Sequence, residues 1–281
     1  MKKILFGCTL ILVLLCISSI ALADDLDQGR ALMQQGNLGA AAQFFSQYVR
    51  SHPNDKKLTP EALAMTGRIL DKLSDSLTGE AEKKCYWVKG GARNPECMRT
   101  EAESFNAKFG PGSFKYEHAI TFISYTGSQY KELLKRFPKS NYAPEAEFYI
   151  LLQNLGGHPD QVLPRIKKFL ADHKGGEWNR IGLLLWARVN EDIWHVHRKW
   201  SWVLFNEVVD PDELIIRAEP YRQEALKTYK NLKGKKDFVG TKANEEYAKL
   251  NAQDDDGHLY SIVNDANPGT LDMWGVELTS K

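Results

Sequence analysis

The sequence predicts an all-α protein in which antiparallel helix pairs stack one against the next. Three observations lead to this prediction. Several segments place apolar residues at the spacing of one helix face, which is typical of amphipathic helices. Proline closes two of these segments, because it cannot continue the backbone hydrogen-bond ladder of a helix. Two further helices open with proline, glutamate and alanine, where proline fits the first turn and alanine lets a neighbouring helix approach closely.

The beginning of the chain is typical of a cleaved bacterial secretory signal. Two lysines precede the apolar run of residues 4–20, and Ala-Leu-Ala at residues 21–23 offers a cleavage site. We therefore predict a signal peptide over residues 1–23 and a periplasmic or secreted mature chain. Two alternatives stay open. One is a membrane-spanning helix, for which the run is short. The other is a lipoprotein with Cys16 as lipid acceptor, although Leu15 stands where such processing prefers a small residue.

Charge and hydropathy argue against two classes of partner. The chain has 37 Lys plus Arg and 36 Asp plus Glu, with a net charge of +1. This balance gives no indication of a nucleic acid or an anionic membrane surface as partner. No segment after the signal has the apolar length to span a bilayer.

Cys85 and Cys97 are the cysteines that would remain after cleavage. Two thiols in an oxidising compartment most simply form one disulfide. A glycine pair and an Asn-Pro dipeptide lie between them, and both are turn signals. We therefore predict a disulfide that pins an irregular excursion between helices, since a redox-active pair is typically spaced more closely.

The clearest helical unit covers residues 36–54, after a predicted helix over residues 26–35. Pro53 closes this unit. Its apolar residues share one helix face, and they are Ala41, Phe44, Phe45, Tyr48 and Val49. The unit resembles the tetratricopeptide repeat. The residues that carry the resemblance are the turn glycine, the small residue, the aromatic residue and the closing proline, namely Gly36, Ala41, Phe45 and Pro53. Tyr48 departs from the family, which prefers alanine at that position.

Further units are less regular. Residues 128–140 repeat the apolar face and end at Pro138, whereas residues 160–174 have Lys174 where a proline would close the unit. Residues 221–251 form a looser unit. The resemblance implies a tetratricopeptide-like α-solenoid over residues 24–252, followed by a C-terminal tail over residues 253–281. It also implies a groove along the first helix of each pair that binds an extended peptide or a partner helix.

The predicted helix openings lie at Thr59 and Ala143, each followed by Pro-Glu-Ala. The helix from Ala143 is apolar nearly all round, so we expect it to be central. The repeat pattern fails over residues 85–125, where residues 118–127 suit either a helix or a strand.

The most unusual composition is the tryptophan-rich segment of residues 186–202, with four tryptophans and two histidines. One interpretation is aromatic core packing. A second is an exposed platform for a sugar ring or a peptide, formed by Trp194 and Trp202. A third is a metal site on Glu191, His195 and His197, which a helix disfavours because His197 would point away from the other two.

Residues 103–106, Glu-Ser-Phe-Asn, are faintly similar to the catalytic glutamate segment of lytic transglycosylases. The Gly-Leu-Met-Gln segment that those enzymes carry downstream is absent, so we expect Glu103 to be an exposed helical residue. Phosphate-binding loops, dinucleotide fingerprints and hydrolase motifs are absent as well. We assign no catalytic residue, metal or cofactor.

We therefore expect a non-enzymatic periplasmic scaffold that binds a protein or peptide partner in the solenoid groove and serves cell-envelope assembly. Tyr149, Trp186 and Asn190 are the expected groove residues, with Trp194 and Trp202 as further candidates. The alternative is a glycan- or peptidoglycan-binding protein that uses the tryptophan-rich segment.

Overall fold

The computed structural model describes residues 26–86, 94–155, 159–199 and 210–254. The predictions for the signal peptide, Cys16, Trp202 and the tail beyond residue 254 lie outside these residues. The described part contains ten helices and one two-stranded sheet. In chain order they are α1 (Asp27–Gln34), α2 (Leu38–Ser51), α3 (Thr59–Cys85), α4 (Pro95–Phe109), β1 (Phe114–Glu117), β2 (Phe122–Tyr125), α5 (Ser128–Arg136), α6 (Ala143–Gln153), α7 (Pro159–Asp172), α8 (Gly176–Lys199), α9 (Pro211–Leu232) and α10 (Phe238–Asn251).

The helix boundaries follow the local sequence signals. Helices α3 and α6 begin at Thr59 and Ala143, with proline in the first turn and a glutamate after it, as predicted. Helix α2 ends at Ser51 and α5 at Arg136, each two residues before a proline. The helix-rich fold is confirmed for the described residues.

Helices that are neighbours in the chain pack against each other. Helix α1 packs on α2 and α2 on α3, and the series continues from α5 to α10. Helix α3 also packs on α5, although α4 and the two strands lie between them in sequence. The buried apolar side chains form one continuous core along this series. None of the helices in the described ranges is long and apolar enough to cross a membrane.

Two glycines allow one helix to contact an aromatic ring on another, α1 on α2 and α3 on α5. A Cβ at Gly29 would lie 2.5 Å from the ring of Phe45 on α2, and a Cβ at Gly67 would lie 2.7 Å from the ring of Tyr130 on α5. Real side chains do not approach that closely, so α1 and α3 can sit against these rings only because both positions lack a side chain.

The segment between α3 and α5 corrects the all-α prediction. Strands β1 and β2 pair antiparallel, with Phe114 opposite Tyr125 and Tyr116 opposite Ile123. Hence residues 118–127, which suited either a helix or a strand, contribute β2 and the turn before it. A strand pair forms here because the neighbouring helices supply partners for its outer edges.

On the β2 side, those partners are two hydroxyls one helical turn apart on α3. The Tyr125 N–H donates to Ser74 Oγ at 3.2 Å, and the Ile123 N–H donates to Thr78 Oγ1 at 3.0 Å. On the β1 side, the Asn106 side chain of α4 accepts from the Phe114 N–H at 2.7 Å and donates to its carbonyl at 3.1 Å.

The predicted disulfide is confirmed. Cys85, the last residue of α3, is bonded to Cys97 in the first turn of α4. The bond joins the two helices that hold the strand pair. We call α4 together with β1 and β2 the excursion. Helix α3, the disulfide and the excursion therefore form one connected body.

Candidate binding groove

The candidate site is an open groove of about 340 Å³ between α2 and α5. Helix α3 forms its floor, and the turn after α4 closes one end. The residues that line it are Ser46, Val49, Arg50, Pro53, Leu63, Thr66, Phe109, Gly110, Pro111, Ser128, Gln129, Glu132 and Arg136.

Helical spacing places these residues on the walls and the floor. Ser128, Glu132 and Arg136 follow one another at intervals of four residues, so they share one face of α5. Leu63 and Thr66 share one face of α3 in the same way, and both are almost fully buried. The floor is therefore largely apolar, while the exposed polar atoms lie on the two walls.

Contacts between elements close both ends of the groove. At one end, the Ser46 hydroxyl of α2 donates to the Phe109 carbonyl at 3.3 Å. Gly110 then turns the chain with a φ of 131°, a conformation that favours glycine. At the other end, the Arg136 guanidinium donates to the Pro53 carbonyl beyond α2. The groove is thus bounded by residues that hold α2, α4 and α5 together.

The charged groups in the groove differ in how they are paired. Arg136 forms an ion pair with Glu132, one turn earlier on α5. Arg50 lies in the last turn of α2 and is exposed, and it makes no ion pair with any described residue. Among the described residues that line the groove, two guanidinium groups therefore face one carboxylate, and Arg50 is the cation left available to a ligand.

The structure buries three of the residues that we expected in a binding groove. The relative exposure is 4% for Tyr149, 2% for Asn190 and 2% for Trp194. Trp186 is half-buried, and Trp202 lies outside the described residues. None of the four described residues lines the groove.

Local partners explain this burial. The Tyr149 hydroxyl donates to the Tyr125 carbonyl at 3.3 Å, and burial raises its pKa well above the ordinary value of 10.0. Asn190 donates to the Trp186 carbonyl at 2.8 Å, which stabilises α8. Both side chains therefore bond within the protein.

Trp194 lies among cationic side chains instead of being an exposed platform. The Arg198 guanidinium is 4.3 Å from the centre of its ring, and that of Arg222, on α9, is 5.9 Å away. Arg222 also donates to the Leu250 carbonyl at the end of α10. Trp194 and Arg222 thus join α8, α9 and α10.

The structure also locates the residues considered for a metal site and for catalysis. Glu191, His195 and His197 lie on the single helix α8. Glu191 accepts a hydrogen bond from the Tyr229 hydroxyl at 2.7 Å. His197 Nδ1 lies 2.8 Å from the Ile193 carbonyl oxygen. Within the described ranges, no group of three or more potential ligands could hold a metal ion. Glu103 is exposed on α4, as expected.

Two arginine–glutamate pairs, which sequence reasoning missed, connect α1 to α3 and α3 to α6. Arg30 of α1 binds Glu61 of α3, and Arg68 of α3 binds Glu145 of α6. The sequence did contain a signal, because a glycine directly precedes both arginines and each glutamate is the middle residue of a Pro-Glu-Ala triplet. That each Gly-Arg meets the next Pro-Glu-Ala is visible only in the fold.

No protein-family model, no curated protein and no solved structure matches this chain.

Proposed function

We propose that this protein is a non-enzymatic scaffold of the bacterial periplasm. It is built as a tetratricopeptide-like solenoid and holds an extended segment of a protein partner in the groove between α2 and α5. The observation that carries the proposal is this groove, which has a largely apolar floor on α3 and charged walls on α2 and α5.

The repeated ion pairs support the solenoid arrangement. The Arg30 guanidinium approaches Glu61 Oε1 to 2.5 Å, and the Arg68 guanidinium makes two bonds to Glu145, at 2.6 and 2.5 Å. In each pair, the arginine lies on the helix that opens one unit. The glutamate lies in the first turn of the helix that opens the next unit. The same contact at successive steps gives successive steps similar geometry, which is the property of a solenoid.

The glycine–aromatic contacts identify the helices of the second unit. Phe45 lies eight residues before Pro53, and Tyr130 lies eight residues before Pro138. Each ring rests on a glycine of the preceding first helix. By this correspondence α3 and α5 form one pair, and the excursion is an insertion between its two helices.

The dimensions of the groove favour an extended segment over a helix. Helix α5 has nine residues, which corresponds to a length of about 13 Å, or about four residues of extended chain. An α-helix with its side chains is about 10–12 Å in diameter, so about 13 Å of helix would occupy roughly 1,000 Å³ or more. The groove holds only about 340 Å³. Apolar floors with polar walls are typical of peptide-binding surfaces, where the floor gives affinity and the walls give specificity.

Burial weakens the glycan-binding alternative. A sugar platform needs an exposed aromatic face, and the Trp194 ring is packed between cationic side chains. We therefore propose a protein segment, and not a glycan, as the occupant.

Site-specific photo-crosslinking in intact cells tests the proposal. A benzophenone amino acid replaces Val49 in the groove in one variant, and replaces the exposed Lys167 of α7 in the control. We expect a discrete protein product from position 49 and none from position 167. No product at position 49, or a product that a muramidase degrades, would contradict the proposal. Sequencing the purified protein tests the location separately, since the mature chain should begin at Asp24.

A further inference from the structure

We propose, on the basis of the proposed function, that the segment held in the groove is acidic: it places a carboxylate on Arg50 and an apolar side chain on the floor. The inference names the chemistry of the partner, which the proposed function leaves open. It rests on the charges of the groove, on their pairing and on the apolar floor.

The two arginines of the groove, Arg50 and Arg136, differ in their contacts. Arg136 is held in place, since its guanidinium binds Glu132 and the Pro53 carbonyl. Arg50 has no such partner among the described residues and projects from α2 as an exposed side chain. A guanidinium presents a planar set of donors that matches the two oxygens of a carboxylate. Arg50 therefore offers a complete binding group without breaking an existing contact.

The side chains that line the groove carry a net positive charge. With Glu132 engaged by Arg136, the uncompensated charge among the lining side chains is the one on Arg50. An acidic segment is attracted to that charge, whereas a basic segment is repelled by it and meets a carboxylate that is already paired. Charge complementarity of this kind selects partners and speeds their association.

Apolar side chains also line the groove. Leu63 and Phe109 close the bottom of the groove, although each is only 1% exposed. The accessible apolar atoms belong to Val49, which is half-buried beside Arg50 on the α2 wall, and to the exposed Pro53 and Pro111 at the ends of the groove. An extended chain directs successive side chains to opposite sides. A residue that rests on the floor is therefore flanked by residues that point toward the walls and the solvent, which is where a carboxylate meets Arg50.

Arg50 also has a structural role that the experiment must separate from binding. It lies in the last turn of α2, where a cation stabilises the helix dipole. Loss of that role would weaken binding of every ligand equally. A change in the preference between acidic and basic ligands would arise only from direct contact with the ligand charge.

The experiment measures the binding of three dye-labelled peptides to the mature protein by fluorescence anisotropy. All three have a central leucine, flanked on both sides by aspartate, by asparagine or by lysine. We expect the aspartate peptide to bind tightest, with an advantage over the lysine peptide of about tenfold that shrinks as salt is added. Arg50→Glu should reverse this order, and Arg50→Lys should preserve it. Arg99→Glu, a matched charge reversal at an exposed arginine of α4, should leave the order unchanged.

The outcomes separate the inference from the proposed function. Equal binding of the three peptides, or the same order in the Arg50→Glu variant, overturns the acidic segment. The scaffold proposal still stands in that case if position 49 crosslinks to a protein. If position 49 gives no protein product and no peptide binds, both proposals fail. A far-ultraviolet circular dichroism melt of each variant confirms that the compared proteins are folded.

Discussion

The ion pair between Arg68 and Glu145 should contribute strongly to stability, because it is nearly buried. The side chains are 14% and 2% exposed, respectively, and Glu145 also accepts a hydrogen bond from the Tyr130 hydroxyl at 2.9 Å. Burial disfavours the charged form of Arg68, but the hydrogen bonds and the charge of Glu145 outweigh this and raise the pKa of Arg68 above its ordinary value of 12.5. Arg68 therefore keeps its positive charge in the folded protein.

The perturbation is a double-mutant cycle of Arg68→Met and Glu145→Leu. Either single change leaves one charge buried without its partner, which costs about 3–5 kcal/mol of unfolding free energy. The double variant has no unpaired charge, and its apolar side chains fill similar volumes. Replacing a buried pair in this way is often nearly neutral. We therefore expect the double variant to be more stable than either single variant, with a coupling free energy of about 3 kcal/mol or more.

Urea unfolding followed by circular dichroism measures the four free energies. The matched control is the same cycle on Arg30 and Glu61, whose side chains are 16% and 14% exposed. Because the carboxylate of this pair keeps more water, we expect a coupling about half as large. A coupling below about 1 kcal/mol at Arg68 and Glu145, or one no larger than in the control, would refute the reasoning.

Two further predictions concern a close helix contact and a surface carboxylate. Gly67→Ala should destabilise the protein by about 1–3 kcal/mol, because the new Cβ would lie 2.7 Å from the Tyr130 ring. Gly79→Ala in the same helix should stabilise it by up to about 1 kcal/mol, because nothing lies within 4 Å of that Cβ. The Arg180 hydrogen bond, followed by a backbone amide of α10, lowers the pKa of Asp237 from 3.8 to about 2. A depressed carboxylate pKa contributes stability above the unfolded value and loses it as the pH falls through the folded value. Asp237→Asn should therefore lower the melting temperature at neutral pH, and the difference should shrink as the pH falls from about 4 to about 2.

Each of these two predictions has a distinct contrary result. If both alanine variants melt above the parent protein, the close contact between α3 and α5 is wrong. Asp237→Asn retains a side-chain oxygen that can still accept from the first amides of α10, so it isolates the ion pair from the helix cap. A melting difference that is as large near pH 2 as at neutral pH would mean that the ion pair is not its cause.

Helix ends were predictable because the signals that set them are local. The prolines and glutamates after Thr59 and Ala143 act within one turn, and the observed helices begin at those residues. The strand pair was not predictable in the same way. Its backbone groups are satisfied by Ser74, Thr78 and Asn106, which precede the strands in sequence and come into reach only when α3 and α4 are folded.

The candidate site shows the same division. Sequence reasoning placed the groove at Tyr149, Trp186 and Asn190 because they lie on helices of the repeat region. It added Trp194 and Trp202 because of the composition of the tryptophan-rich segment. Burial of Trp194 depends on Arg222 of α9, whose position no local pattern reveals. The groove is formed by α2 and α5, which come together only because α3 packs on both. Each wall looks like an ordinary amphipathic helix in the sequence, so the groove becomes visible only in the fold.

Helix α3 has 27 residues, whereas its neighbour α2 has 14, so α3 extends roughly 20 Å beyond it. On this overhang Leu77, Ala81 and Cys85 are buried. The excursion and the extra turns of α3 thus depend on each other, since neither would keep its apolar surface away from water alone. A change in the length of the excursion therefore requires a matching change in the extra turns of α3. The packing of the neighbouring helices can stay the same during such a change.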